Sequence, residues 1–139
     1  MEQTSKKSFR KVNAFNLQEM LIVLALIGIL LLIALPNFLP LIAKAKSQEA
    51  KIQLKYIYDL QSQYRYLNSR FAPDLASLDY QAPKTVLENG TANYSYQITG
   101  VSAAGFSANA TAVSDFDGDG IFNVWVIDEQ GKLKEVIKD

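Results

Sequence analysis

The sequence predicts an α+β fold: one long N-terminal helix, its first half transmembrane, packed on a small antiparallel sheet of about four strands. Three observations carry this. From Met20 to Ala43 there is no charged side chain. Beyond Pro40, residues Ile52, Tyr56, Ile57, Leu60, Tyr64 and Leu67 recur at helical spacings, with Lys51, Lys55, Asp59 and Arg65 between them. The C-terminal part then holds four short runs in which apolar and polar residues alternate.

Bulk properties narrow the function before any motif is read. The chain has 139 residues and zero formal net charge, enough for one modest domain plus something extra. It contains no Cys and no His, which removes disulfides, thiol nucleophiles, imidazole acid–base chemistry and the usual zinc sites together. No basic stripe lies outside the N-terminus, so nucleic acid is not indicated as a partner. Ser–Lys or paired-carboxylate chemistry would need groups that the spacing does not bring together. No catalytic residue is predicted, and the chain is not read as an enzyme.

Residues 1–14, MEQTSKKSFRKVNA, carry Lys6, Lys7, Arg10 and Lys11 against Glu2 alone. A basic stretch ahead of an apolar run keeps the N-terminus in the cytoplasm and places the C-terminal side of the run outside it. The run itself has three readings. As a cleaved signal peptide it has a small-x-small site at Ala43-Lys44-Ala45, but it exceeds the roughly 7–15 residues of such a segment, and Glu19 sits at its mouth. As a plain anchor, Phe15 to Leu35 makes a helix of roughly 31 Å, close to the ~30 Å of a hydrocarbon core. That reading leaves Glu19 as an interfacial carboxylate touching headgroups, where its cost is below the ~2.5–3.5 kcal/mol of the bilayer centre. In the third reading the chain is cut after Ala14. The new α-amino group then belongs to Phe15, one helical turn before Glu19. Between chains, Glu19 of an incoming subunit neutralises the free amine of its neighbour and sets the axial step of an assembly.

Through Lys11, Ala14, Phe15, Leu17, Glu19, Met20, Val23, Ile27, Gly28, Ile29 and Pro36 the chain resembles the type IV pilin and type II secretion pseudopilin superfamily. Two positions depart from the family pattern: Ala14 stands where Gly is usual, and Asn16 where Thr is common. The resemblance implies cleavage by prepilin peptidase at Ala14–Phe15, N-methylation of Phe15, and assembly through Phe15 and Glu19. It implies storage as a single-pass precursor in the lipid of the bacterial inner membrane, with the C-terminal domain outside the cytoplasm. An inner-membrane assembly platform would then polymerise the chain with itself, and with related minor pilins or pseudopilins, into a periplasmic or cell-surface filament. Pro36 and Pro40 each lack an N–H and crowd the carbonyl one turn back. Read from the residues, they are ordinary membrane-helix kinks. The resemblance implies instead a helix break that lets a filament stretch.

The chain thus divides into a leader at 1–14, a hydrophobic transmembrane and assembly helix at 15–43, an amphipathic half at 44–68, and a soluble domain at 69–139. Within the last, residues 68–91 form a Pro-, Asn-, Asp- and Gly-containing connector with a short helical turn over Asp74–Leu78. NYSYQIT alternates Tyr94, Tyr96 and Ile98; GFSANATAV alternates Phe106, Ala108, Ala110 and Ala112; FNVWVI and KLKEVI supply two more strands. Glu129–Lys132 is the hairpin turn between the last two.

The stretch DFDGDGIFN matches the front half of a calcium loop at Asp115, Asp117, Asp119 and Gly120. In that register Ile121 offers its carbonyl and Asn123 a side-chain oxygen. The closing Glu is absent, with Val126 in its place, so Asp128 or water would complete a Ca²⁺ site of ~10⁻⁴–10⁻³ M affinity. An acidic Gly-rich turn without metal is the other reading. The absence of Cys and this loop lean toward a secretion pseudopilin; the Tyr-Ser-Tyr and Phe-Ser-Ala-Asn-Ala strands lean toward a slender type IV pilin. A filament subunit of type IV pilin kind is the reading adopted. A major pseudopilin of a type II secretion system is the alternative, and a membrane-anchored binding or sensor domain that never polymerises comes after it.

Overall fold

The structure, a computed structural model, describes residues 15–139; of Pro36 and Asn37 only the backbone is described. The leader, with Lys11 and Ala14, lies outside the described residues. The architecture is α+β and pilin-like: a long N-terminal helix with an apolar first stretch, then a four-stranded antiparallel sheet. Helix α1 runs Leu17–Asn68, and both Pro36 and Pro40 fall within its bounds. The chain divides into two compact units at Pro36/Asn37. Ala43, placed by the sequence in the transmembrane segment, is buried in the core of the second unit.

In that unit the sheet is a meander of β1 (Tyr94–Val101), β2 (Phe106–Ala112), β3 (Val124–Asp128) and β4 (Leu133–Ile137), in the order β1-β2-β3-β4. The alternation expected from sequence holds. Phe106, Ala108, Ala110 and Ala112 are buried along β2, and Tyr94 and Tyr96 along β1, while their neighbours are more exposed. The hairpin between β3 and β4 closes at Gly131, whose N–H donates to the Asp128 carbonyl at 2.9 Å. Gly131 has φ +72°, and an added Cβ would sit 3.1 Å from the Tyr58 ring, so glycine is required twice over. The connector contains the expected turn as a 3₁₀ segment at Ala76–Leu78, started by Asp74 accepting from the Ser77 N–H at 2.7 Å. A second 3₁₀ turn at Val86–Glu88 has no counterpart in the sequence reading. The Glu88 carboxylate holds it by accepting from the Thr85 N–H and hydroxyl at 3.0 and 2.9 Å.

The helix stripe needs correcting. Of the six residues expected to face the sheet, Ile57 is fully buried, and Leu60 and Tyr64 pack partly against the core. Ile52, Tyr56 and Leu67 are 66%, 52% and 78% exposed. The buried stripe is Ala43, Ser47, Ala50, Leu54, Ile57 and Gln61, in alternating steps of four and three. Four of its six residues are small or polar, so a search for large apolar residues passes over it. Its polar members are admitted to the core because they are satisfied. The Ser47 hydroxyl donates to the Ala43 carbonyl at 2.8 Å, and the Gln61 amide pairs with the backbone of Ala72. Leu54 and Ile57 then contribute roughly 1.5–3 kcal/mol each by full burial. Rings close the core around them: Phe71 against Phe106 at 5.2 Å, Tyr80 edge-on to Tyr96 at 6.1 Å, Tyr94 edge-on to Phe116 at 5.7 Å.

Candidate functional site

The first unit offers an apolar helix that is exposed along its length among the described residues. Leu17–Leu35 is 19 residues long, long and apolar enough to cross a membrane, and none of it is buried. Its entry is built locally. Asn16 precedes the first helical residue, and the Glu19 carboxylate turns back to accept the Asn16 N–H at 2.9 Å. This is the returning half of a capping box: it satisfies one of the amide donors that a helix start leaves open and sets a negative charge at the positive end of the dipole. Glu19 therefore has a role within its own chain that the sequence reading did not assign. Phe15, just before this entry, is 78% exposed.

The acidic loop lies between β2 and β3. Asp115 organises it: one carboxylate oxygen accepts from the N–H groups of Asp117 and Gly118, the other from Gly120. Those bonds, Gly120 and Gly118 foremost, hold its carboxyl below the usual carboxylate range. Gly118 and Gly120 take φ +87° and +86°, conformations that side chains avoid, and this lets the loop fold over Asp115. Asp117 is shifted the other way, raised first by desolvation and then by the charges of Asp119, Asp139 and Asp115.

The structure groups Asp115 and Asp117 with a residue the sequence did not name. Carboxylate oxygens of Asp115, Asp117 and Asp139 lie within 4.8 Å of one another. That separation suits a cation bound at ~2.3–2.6 Å from each. Asp139 was not singled out from sequence, because only the return of the chain beyond β4 brings it to the loop, where it accepts the Phe116 N–H at 3.0 Å. Its other carboxylate oxygen is buried and has no hydrogen-bond partner among the described residues, an acceptor that a cation would satisfy. The remaining predicted ligands serve the fold. Asp119 caps the Ile121 N–H at 2.7 Å. Asn123, buried, accepts from the Tyr94 hydroxyl at 2.7 Å and donates to Glu135 and to the Ile137 carbonyl. Asp128 holds the β3–β4 turn by accepting from Gln130 and Lys132. Ile121 stays at the exposed loop surface.

No protein-family model matches the chain. Among characterised proteins it is 43% identical over 58 residues to the type IV major pilin protein PilA of Myxococcus xanthus (strain DK1622). The chain is pilin-like in sequence as in fold. The match takes in 42% of this chain and spans about a quarter of the length of that pilin (26%), so what PilA does as a whole carries over only as a proposal. This match is to a type IV pilin and adds nothing in favour of a secretion pseudopilin.

Proposed function

We propose that this chain is the structural, non-enzymatic subunit of a membrane-anchored type IV pilus-like filament. The observation that carries the reading is the match to a type IV major pilin. The exposed apolar helix supports it, since a 19-residue apolar surface left open among the described residues is suited to cover by lipid or by other copies of itself. In this reading the precursor sits in the inner membrane with the leader inside, and prepilin peptidase cuts it between Ala14 and Phe15. The new Phe15 amine is methylated, and an assembly platform docks the subunit beside its neighbours and any minor pilins. Glu19 then faces the Phe15 amine of an adjacent subunit. Pro36 and Pro40 are the places where α1 gives way if the filament stretches. The test is isolation of sheared surface filaments from cells that express the chain with its own assembly genes. The chain should be their principal protein and begin at a methylated Phe15. A chain confined to the membrane fraction with Met1 intact overturns the reading.

A weak calcium site in the loop is a second, accessory reading, favoured by the unpartnered Asp139 oxygen beside Asp115 and Asp117. Three carboxylates at this distance repel one another, and a divalent cation turns that repulsion into coordination.

A further inference from the structure

The sequence holds three Asn-x-Ser/Thr triplets: Asn89-Gly90-Thr91, Asn93-Tyr94-Ser95 and Asn109-Ala110-Thr111. Such a triplet can accept an N-linked sugar where it lies on a surface loop outside the cytoplasm. The fold separates the three. The Asn93 side-chain amide is half-buried and donates to the Glu49 carboxylate at 2.9 Å, a contact that a sugar on this nitrogen would disrupt. Asn109 lies inside β2, paired with Gln97 of β1 and Val126 of β3, so its backbone is held extended from both sides. Asn89 stands on a loop that closes on itself: the Thr85 carbonyl accepts from Gly90, and the Lys84 carbonyl from Thr91 and Ala92. Asn89 takes φ +59°, the left-handed corner conformation that asparagine tolerates. A Cβ at Gly90 would collide with the Lys84 carbonyl, so the fold itself requires a glycine in the middle of the triplet. Asn89 and Thr91 are exposed, and among the described residues neither side chain is in a hydrogen bond. Leu87, two residues back, is 73% exposed, a large apolar group that the C–H face of an attached sugar would cover.

We propose that Asn89 is the acceptor of an N-linked glycan, with the Thr91 hydroxyl as the group a transferase recognises two residues on. In the transfer the Asn89 side-chain nitrogen gives up one proton to a base of the transferase and bonds to the anomeric carbon of the sugar. The bond from that carbon to a diphosphate oxygen breaks, and the electron pair leaves with the diphosphate. Two classes of glycosyl diphosphate can supply the sugar, an oligosaccharide linked to a lipid or a single sugar linked to a nucleotide. The chain's layout favours the lipid-linked donor. The basic residues ahead of the apolar run keep the N-terminus in the cytoplasm, so Asn89 lies on the other side, away from nucleotide sugars. The choice of donor rests on the membrane-stored reading above; Asn89 as the acceptor does not.

The full chain, purified in detergent from the cells that make it, is read by mass spectrometry with electron-transfer fragmentation, which leaves a sugar on its side chain. The expected result is a glycan mass on Asn89 and none on Asn93 or Asn109. Asn89→Gln and Thr91→Ala should each remove it completely, whereas Thr91→Ser, which restores the hydroxyl, should keep it. Both positions are exposed, so these variants leave the core intact. Several sugars joined at Asn89 support the lipid-linked donor; a single sugar there supports the acceptor and overturns that donor. An unmodified Asn89, or a glycan mass that survives Asn89→Gln, overturns the proposal. The same spectra show whether the chain begins at Phe15 or Met1, so this failure and failure of the pilin reading are separate outcomes.

Discussion

The side-chain amide of Gln61 and the backbone of Ala72 bond in both directions: Nε2 donates to the Ala72 carbonyl at 3.0 Å, and Oε1 accepts the Ala72 N–H at 2.9 Å. Both residues are fully buried. The pair ties the helix's last turns to the chain as it leaves for the connector, where Pro73 comes next and no regular ladder is available to pair the backbone of Ala72.

Replacing Gln61 by Leu should therefore destabilise the fold although it makes the core more apolar. Two buried backbone groups lose their partners at ~1–3 kcal/mol each, so the expected loss is roughly 2–6 kcal/mol. Denaturant unfolding of the full chain in detergent, followed through Trp125 fluorescence, measures it. An unchanged midpoint would mean that water replaces the amide without cost.

Glu19 carries two candidate roles that substitutions can separate. Glutamine at this position still offers an oxygen to the Asn16 N–H, so Glu19→Gln keeps the cap and removes only the charge; Glu19→Ala removes both. If charge pairing with the Phe15 amine drives assembly, both variants insert into the membrane and both lose filaments, with yield falling at least about tenfold. Normal filaments from Glu19→Gln would leave the carboxylate as a capping residue. Membrane fractionation and filament shearing give the two readouts.

Calcium should raise the thermal midpoint of the full chain in detergent through Asp115, Asp117 and Asp139. At ~10-fold excess over the dissociation constant the gain is RT ln 11, about 1.4 kcal/mol. Asp139→Asn should remove the response, whereas Asp128→Asn should lower stability and leave the calcium increment in place, because Asp128 caps a turn. A shift that survives Asp139→Asn would return the ligand set to the one read from sequence.

Stability should fall in alkali. Burial pushes the Tyr80 and Tyr94 phenols up to about 12, with Glu49 adding to the rise for Tyr80 and Asp139, Glu49 and Glu135 for Tyr94. In the unfolded chain a phenol ionises near ~10. The folded state thus holds its protons where the unfolded state releases them. The contribution is whole below about pH 10 and is lost as pH rises through about 12. Unfolding midpoints should be level between about pH 8 and 9.5 and decline above that. Tyr94→Phe should soften the decline, yet cost ~1–3 kcal/mol at neutral pH because the Asn123 oxygen loses its donor. A decline of the same steepness in Tyr94→Phe would assign it to other groups.

Sequence alone determined the elements and their order. Uncharged length marked the apolar helix, alternation marked β1 to β4, and the run Glu129–Lys132 marked the last turn, because each signal is written in residues close together in the chain. It also marked Glu19, since a carboxylate at the mouth of an apolar run stands out without any coordinates. Tertiary structure decided which face of α1 is buried. Ala43, Ser47, Ala50 and Gln61 carry too little hydropathy to declare themselves, and they are inside because partners distant in sequence, such as Ala72, satisfy or cover them. It likewise brought Asp139 beside Asp115 and Asp117. Which side-chain oxygens stay open is settled only when the strands meet, since Tyr94 then donates to the Asn123 amide oxygen and turn amides donate to the Asp128 carboxylate.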